Sequence, residues 1–167
     1  DFVHTSSHAR IGMQLGHAGR KGATRLPWEG GEDAPLDAGW PLLAPSPIAW
    51  SPRSATPRAM GARDMEQTIA DYVRATRLAD EAGFDLVEIH AAHGYLLATF
   101  LSPLTNRRDD RYGGSVENRA HFPLQVISAV RAAWPARKPL SVRISATDWA
   151  PGGTSTEDLL AIARLLK

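Results

Sequence analysis

The stretch EIHAAHGYL, residues 88–96, concentrates side chains that can donate or transfer protons. His90 and His93 are three positions apart, and Tyr95 follows two positions after the second histidine. Two imidazoles at this spacing can ligate a metal ion, donate hydrogen bonds to an oxygen that gains negative charge, or bond only within their own loop. A neighbouring phenol can supply a proton. The stretch is therefore a candidate site for metal chemistry or for acid catalysis.

The alternatives for the two histidines differ in the partners that they require. A metal site needs a third ligand, which His17 or Asp148 can supply from the ends of other predicted strands. A site that stabilises a carbonyl oxygen needs no further ligand, and it gives Tyr95 a use as the proton donor. The pattern alone leaves both alternatives open, together with a purely structural pair.

Gln14 and Arg143 are polar residues within segments that the pattern predicts to be buried strands. A buried amide needs hydrogen-bond partners, and a buried arginine is almost always paired. Each residue therefore has a structural interpretation, as an internal hydrogen bond or a salt bridge. The functional alternatives are an amide that pairs with the edge of a heterocycle and a fixed cation beside a ligand that becomes anionic.

Strands and helices alternate along the chain. Three short apolar runs predict strands: 11–15, 85–89 and 140–144. Three amphipathic patterns predict helices: 64–82, about 116–134, and a segment that starts after Ser155. Gly83 is the predicted stop signal of the first helix, and Ser155 is the predicted cap of the third. The alternation is typical of parallel β/α units, in which ligands bind at the carboxyl ends of the strands. The polar residues named above end or follow these strands, so we expect them at one edge of the sheet.

Composition excludes several classes of protein. The chain has 167 residues, of which 43% are hydrophobic and 22% charged, and its formal net charge is +1. This balance gives no electrostatic basis for binding nucleic acid or a membrane surface, and no apolar run has the length of a membrane span. The chain has no cysteine, which excludes disulfides and fits a cytoplasmic protein. The segment 21–63, rich in proline and tryptophan, predicts a lid or binding loop. We expect it to be ordered, because its tryptophans need something to pack on.

Four stretches combine these candidate residues with recognisable surroundings. They are QLGHAGRKG (14–22), APSPI (44–48), AGFDLVEIHAAHGYLLATFLSPLTNRRDDRYGGSVENRAHF (82–122) and SVRISATDW (141–149). Together they resemble the old yellow enzyme family of FMN-dependent ene-reductases. The resemblance is strongest to the xenobiotic-reductase and thermophilic-like branch, which has histidine at both positions of H-x-x-H, where other branches often have asparagine at the second. His121 departs from the family pattern, which usually has arginine at that position.

The resemblance implies a fold and a cofactor. The chain would be an α/β protein that forms part of a (β/α)8 TIM barrel, with residues 1–167 carrying about three β/α units, the third to fifth strands. The segment 21–63 would follow the first strand present. FMN would lie at the carboxyl-end mouth of the barrel. Gln14 would bond the pyrimidine edge of the flavin, and Arg143 would lie beside its N1 and C2 carbonyl.

The resemblance also implies a reaction. NADPH or NADH would reduce FMN, and the flavin hydride would pass to the C=C bond of an α,β-unsaturated carbonyl compound. His90 and His93 would hold the carbonyl oxygen, and Tyr95 would supply the proton. A small enone-type substrate is therefore the expected partner, no metal is expected, and the full-length protein is expected to be a cytoplasmic homo-oligomer.

Three other functions compete with this expectation. The chain can be the flavin module of a larger oxidoreductase that acts on CoA esters, a metal-dependent TIM-barrel hydrolase, or a binding module without catalysis. We also expect residues 1–167 on their own to be inactive and poorly folded. Three strands cannot close a barrel, and the phosphate-binding loops of the family lie outside this segment.

Overall fold

A three-stranded parallel sheet covered by helices forms the centre of the molecule. The computed structural model describes residues 2–29 and 33–167. Its elements are α1 (Phe2–Ser6), β1 (Gly12–Leu15), β2 (Leu43–Ala44), β3 (Arg58–Ala59), α2 (Ala62–Glu81), β4 (Leu86–Ala91), α3 (Leu96–Leu101), α4 (Val116–Ala133), β5 (Leu140–Ile144) and α5 (Thr156–Leu165). Short 3-10 turns add to these at Gly19–Lys21 and Pro27–Glu29. The three predicted strands and three predicted helices are confirmed.

The central sheet has the order β1-β4-β5, with every pairing parallel. Gln14 lies opposite Glu88, and His90 lies opposite Arg143. β4 continues two residues beyond the predicted end at 89, because His90 and Ala91 still pair with β5. The first histidine therefore lies within the strand, whereas the second lies in the turn after it.

The two faces of the sheet differ completely in polarity. Val87 and Ile89 are fully buried and belong to the hydrophobic core, which also contains Phe100 and Phe122. Helices α2 and α4 contact each other on this side, and α2 also contacts β1. The alternate positions of β4, among them Glu88, fall on the opposite face because side chains alternate along a strand. The apolar face thus holds the helices, and the polar face is available for a site.

The exposure of Gln14 and Arg143 differs from the prediction. Both were predicted to be buried, and both are exposed. They lie on the polar face, and the helices of the described residues pack on the other one. A strand that is apolar on one face only can carry exposed polar residues at alternate positions, whereas the short apolar runs suggested strands that were buried on both sides.

Helix boundaries follow local hydrogen bonds. The Ser155 hydroxyl accepts a hydrogen bond from the Asp158 amide at 3.0 Å and caps α5 as predicted. α2 begins two residues before the predicted start, and the Asp64 carboxylate accepts a hydrogen bond from the Gly61 amide at 2.8 Å. Gly83, the predicted stop signal, follows α2 with φ of 85°.

The segment 21–63 is only partly packed. β2 and β3 pair in parallel, and Ala44 and Met60 are buried. We expected its tryptophans to pack, but Trp28 and Trp40 are 79% and 61% exposed. That expectation was wrong for these two side chains. Trp50 differs, because two cationic side chains lie over its ring.

The described residues contain no helix that is long and apolar enough to cross a membrane.

Gly19 connects the turn after β1 to the start of α3, and its substitution tests this packing. Its φ is 59°, and a Cβ atom there would lie 3.0 Å from the backbone N and Cα of Leu96. Gly83 has a similar left-handed conformation, but a Cβ atom there would meet nothing within 4 Å. We expect Gly83→Ala to cost about 1 kcal/mol of unfolding free energy and Gly19→Ala clearly more, because only the second adds a steric clash. Denaturant unfolding of the two variants measures the difference; equal losses would contradict this packing.

Candidate active site

Three rings meet at the carboxyl end of β4. The centroids of the His90 and His93 rings are 4.9 Å apart, and those of His90 and Tyr95 are 5.0 Å apart, both in edge-on arrangements. β4 positions the first ring and the turn positions the second. Tyr95 is the N-cap residue of α3. The sequence prediction that these three side chains lie together is therefore confirmed.

The two imidazoles form a directed pair. The Ala92 amide donates to His90 Nδ1 at 3.3 Å, so this nitrogen is an acceptor and the ring hydrogen is on Nε2. His90 Nε2 lies 3.2 Å from His93 Nδ1 and donates to it. This network assigns the hydrogen of His93 to its own Nε2. The pair thus differs from two parallel donors: His90 supports His93, and His93 keeps one N–H free to donate.

The environment keeps the inner imidazole neutral. His90 is only 5% exposed, and burial is the main cause of its lowered pKa, with Coulombic interactions with His93 and Arg143 lowering it further. Glu88 acts in the opposite direction. A neutral ring can donate through Nε2 while it accepts through Nδ1, which a protonated ring cannot do. Burial therefore favours the neutral ring, which these hydrogen bonds require, and the hydrogen bonds themselves select its tautomer.

The turn that carries His93 has an unusual backbone. His93 and Gly94 have φ angles of 58° and 71°, both in the left-handed region. The His93 amide donates to the Ser145 hydroxyl at 3.0 Å, and the His93 carbonyl accepts from Lys21 Nζ at 3.0 Å. Residues from the segments after β1 and β5 thus fix the backbone N–H and the backbone carbonyl of His93.

A cavity of about 670 Å³ opens beside this turn. His93, Arg143 and Ser145 line it, together with Arg20, Lys21 and Trp50. Its volume falls within the range of small-molecule sites. His90 does not line this cavity, which agrees with its place behind His93. The arrangement can present an N–H donor and several cations to an organic molecule.

Glu88 is a polar residue of the sheet that the sequence analysis missed. Its carboxylate accepts from Gln14 Nε2 at 2.6 Å and from the Ser141 hydroxyl at 3.0 Å. The hydrogen bond from Gln14 is the main cause of a lowered pKa, and Arg143 and His90 add to it. The anion therefore anchors one N–H of the Gln14 amide. An acidic residue between Val87 and Ile89 was the signal that could have identified it.

The proposed third metal ligands are engaged elsewhere. His17 Nδ1 accepts from the Gly19 amide, and the Asp148 carboxylate accepts from Ser102 and Thr154. Within residues 2–29 and 33–167, no three side chains of His, Cys, Asp or Glu are grouped as metal ligands. The described residues thus give the metal alternative no third ligand.

Comparison with known proteins identifies the family. The model of the NADH:flavin oxidoreductase / NADH oxidase family matches residues 2–167. The chain belongs to this family. The match extends over nearly the whole chain and agrees with the resemblance to the old yellow enzyme family, whose cofactor is FMN.

The relatives by sequence carry the names of flavin or pyridine-nucleotide enzymes. An NADPH dehydrogenase from Geobacillus thermodenitrificans is 46% identical over 159 residues, which are 95% of this chain and 42% of the relative. One from Listeria welshimeri is 44% identical over 100% of this chain and 44% of its own. An NADH:flavin oxidoreductase from Gibberella zeae is 46% identical over 89% of this chain and 37% of its own. The chain thus spans less than half of these relatives.

Solved structures show the same fold. Morphinone reductase in complex with tetrahydroNAD superposes with a TM-score of 0.77 at 32% identity, covering 95% of this chain and 45% of that one. A 2-naphthoyl-CoA reductase complex gives a TM-score of 0.82 at 29% identity, covering 97% and 25%. These neighbours have the TIM-barrel fold of the old yellow enzyme family. The open sheet of β1, β4 and β5 is therefore a partial (β/α)8 barrel, as predicted.

The exposed polar face suits a flavin ring. Arg143 makes no hydrogen bond or ion pair with any residue that the structure describes, so its guanidinium is available to a ligand with anionic character. The Gln14 amide retains its oxygen and one N–H after bonding Glu88. Gln14 and Arg143 would therefore hold the edge of the ring, across the sheet from one another.

Substitution of Arg143 tests the placement of FMN on this face. Reduction of a flavin adds negative charge, which a cation stabilises. In the FMN-loaded full-length protein, we expect Arg143→Met to lower the two-electron reduction potential by about 30–60 mV, the equivalent of a charged hydrogen bond. Arg143→Lys, which keeps the charge, should lower it less. Potentiometry with the flavin absorbance measures both, and an unchanged potential in Arg143→Met would show that this residue does not contact the flavin.

Proposed function

We propose that the protein containing this chain is an NAD(P)H-dependent ene-reductase that reduces the C=C bond of α,β-unsaturated carbonyl compounds. The observation that supports the proposal is the linked group of His90, His93 and Tyr95 at the carboxyl end of β4, where His93 and Arg143 line a cavity. Bound FMN, reduced by the nicotinamide coenzyme, supplies the hydride. Residues 1–167 are then part of one FMN-binding barrel domain.

His93 is the residue that meets the substrate oxygen first. It is exposed and lines the cavity, and the hydrogen-bond network assigns it a free Nε2–H. A carbonyl oxygen that enters the cavity accepts this hydrogen. His90 does not line the cavity, so the oxygen accepts the Nε2–H of His90 as well only when it displaces His93 Nδ1 from that donor. Both donors interact most strongly with the oxygen when it gains negative charge, so they lower the barrier as well as bind the ground state.

Tyr95 supplies the proton that completes the reduction. Hydride addition at the β-carbon of the C=C bond leaves an enolate, whose α-carbon a nearby O–H can protonate. The Tyr95 hydroxyl makes no hydrogen bond with any residue that the structure describes, and its ring stands edge-on to His90. The hydroxyl is therefore free to serve the substrate that the histidines hold.

A second candidate substrate class is an unsaturated CoA ester. Two observations favour it: the likeness to a 2-naphthoyl-CoA reductase, and the cations Arg20 and Lys21 in the wall of the cavity, which suit an anionic ligand. The relatives of higher identity are named NADPH dehydrogenases, which supports the enone. Parallel assays with cyclohexenone and cyclohexenoyl-CoA decide between the two classes.

The proposal also covers the substrates, the oligomeric state and the location of the full-length protein. Small enone-type molecules are the expected substrates, and the resemblance to the family supports a homo-oligomer. The cysteine-free composition fits a cytoplasmic location. Size-exclusion chromatography with light scattering measures the oligomer, and cell fractionation measures the location.

Loss of either site histidine should slow enone reduction. In the FMN-loaded protein, we expect His90→Ala and His93→Ala each to lower the rate of flavin reoxidation by cyclohexenone by about 10²–10³, the usual cost of one oxyanion donor. His121→Ala is the matched control, because His121 also stands edge-on to a tyrosine but lies outside the site. Stopped-flow absorbance gives the rates. Normal reoxidation in His93→Ala would contradict the assignment.

Tyr95→Phe should separate the two half-reactions. Only reoxidation by the enone requires the proton, so we expect this step to slow by about 10²–10⁴ while reduction by NADPH stays near the wild-type rate. Tyr112→Phe is the control, since Tyr112 also contacts a histidine edge-on but belongs to the loop before α4. If both half-reactions slow equally in Tyr95→Phe, the phenol acts in binding and is not the acid.

A further inference from the structure

The left-handed turn at His93 and Gly94 has to be held in place. A residue other than glycine with positive φ costs about 1–3 kcal/mol and persists only where its surroundings hold it. His93 has φ of 58°, and its ring is the outer member of the imidazole pair. A small rotation of this peptide would turn the imidazole away from the cavity.

Lys21 holds the carbonyl side of this turn. Its Nζ donates to the His93 carbonyl oxygen at 3.0 Å, while Ser145 accepts from the amide on the other side. Lys21 belongs to the short 3-10 turn after β1 and Ser145 follows β5. The turn after β4 is therefore held between its two neighbours in the sheet.

The position of Lys21 is itself fixed by Trp50. The Lys21 ammonium lies 3.8 Å from the centroid of the Trp50 ring and 5.6 Å from that of Tyr95. Cation–π contacts at such distances are worth about 0.5–2 kcal/mol. Trp50 also approaches Gly94, where a Cβ atom would lie 3.4 Å from its ring. Lysine, indole and turn thus form one packed unit next to the cavity.

We propose that Lys21 is a positioning residue for the reaction: seated on Trp50, it fixes the peptide after His93 and so directs the His93 imidazole toward the substrate oxygen. The assignment rests on the proposed function, because Lys21 can affect the reaction only if His93 binds the substrate oxygen. It gives the segment 21–63 a role, because Trp50 comes from that segment and defines where the ammonium lies.

The test uses Lys21→Met, Lys21→Arg and a matched control in the FMN-loaded full-length protein. Lys138 makes similar contacts at the other end of the sheet: its Nζ donates to the Phe84 carbonyl oxygen at 2.7 Å and lies 4.9 Å from the Trp134 ring centroid. It also forms an ion pair with Asp80 at 2.7 Å, so its loss is the more severe test of global destabilisation. Lys138→Met therefore removes a lysine that bridges a carbonyl and an indole, but away from the site.

Two measurements separate positioning from simple stability. The first is the dissociation constant of para-hydroxybenzaldehyde, a phenol whose oxygen the imidazoles can bind, followed by the flavin absorbance. We expect Lys21→Met to weaken binding of this phenol about tenfold or more, because the outer imidazole is then held less firmly. Lys21→Arg should keep most of the wild-type affinity, and Lys138→Met should leave the affinity unchanged. The second is amide hydrogen exchange, which should rise at residues 93–96 in Lys21→Met alone.

The outcomes distinguish this proposal from the proposed function. Wild-type protein that carries FMN but neither binds the phenol nor turns over cyclohexenone would refute the ene-reductase assignment. Amide exchange at residues 93–96 would still test whether Lys21 holds the turn at His93. Wild-type affinity in a folded, FMN-loaded Lys21→Met variant would overturn the role of Lys21. Equal loss of affinity in Lys21→Met and Lys138→Met would also overturn it, because the effect would then be global destabilisation.

Discussion

The alternation of side chains along β4 is the constraint on which the rest of the structure depends. Val87 and Ile89 point into the helix-covered core, so Glu88 and His90 must point to the other face. Parallel pairing then aligns Gln14 and Arg143 with these residues from the two neighbouring strands. A shift of register by one residue would bury the carboxylate and expose the core. The hydrophobic effect on one face therefore fixes the positions of the polar groups on the other.

The sequence allowed much of this arrangement to be predicted, because the signals involved are local. Apolar runs of strand length, the Ser155 cap and the glycine after α2 each report on their own few residues. The gathering of His90, His93 and Tyr95 was also predictable, since all three lie within one β/α connection. The family resemblance then linked these parts to a barrel, which the structural neighbours bear out.

The features that escaped prediction depend on contacts between distant parts of the chain. Burial of Gln14 and Arg143 was inferred from apolar neighbours in sequence, but exposure is decided by which face the helices cover. The direction of the hydrogen bond between the imidazoles depends on the Ala92 amide and on ring orientation. Arg119 ends the most charged stretch of the sequence, RRDDRYGGSVENR (107–119), a pattern typical of a solvated turn. It is nevertheless buried, where it donates to the Leu101 carbonyl oxygen and pairs with Asp158.

The left-handed backbone at position 93 restricts which side chains evolution can place there. Histidine, asparagine and aspartate are the residues other than glycine that occupy this region most readily, whereas β-branched residues are strongly disfavoured. Of the first three, only histidine and asparagine carry an N–H that can donate to an oxygen at neutral pH. The exchange of histidine for asparagine that the family resemblance implies is thus a substitution that would preserve both the turn and the proposed donor. The backbone at His93 makes the choice of residue nearly binary, before any demand of the substrate is considered.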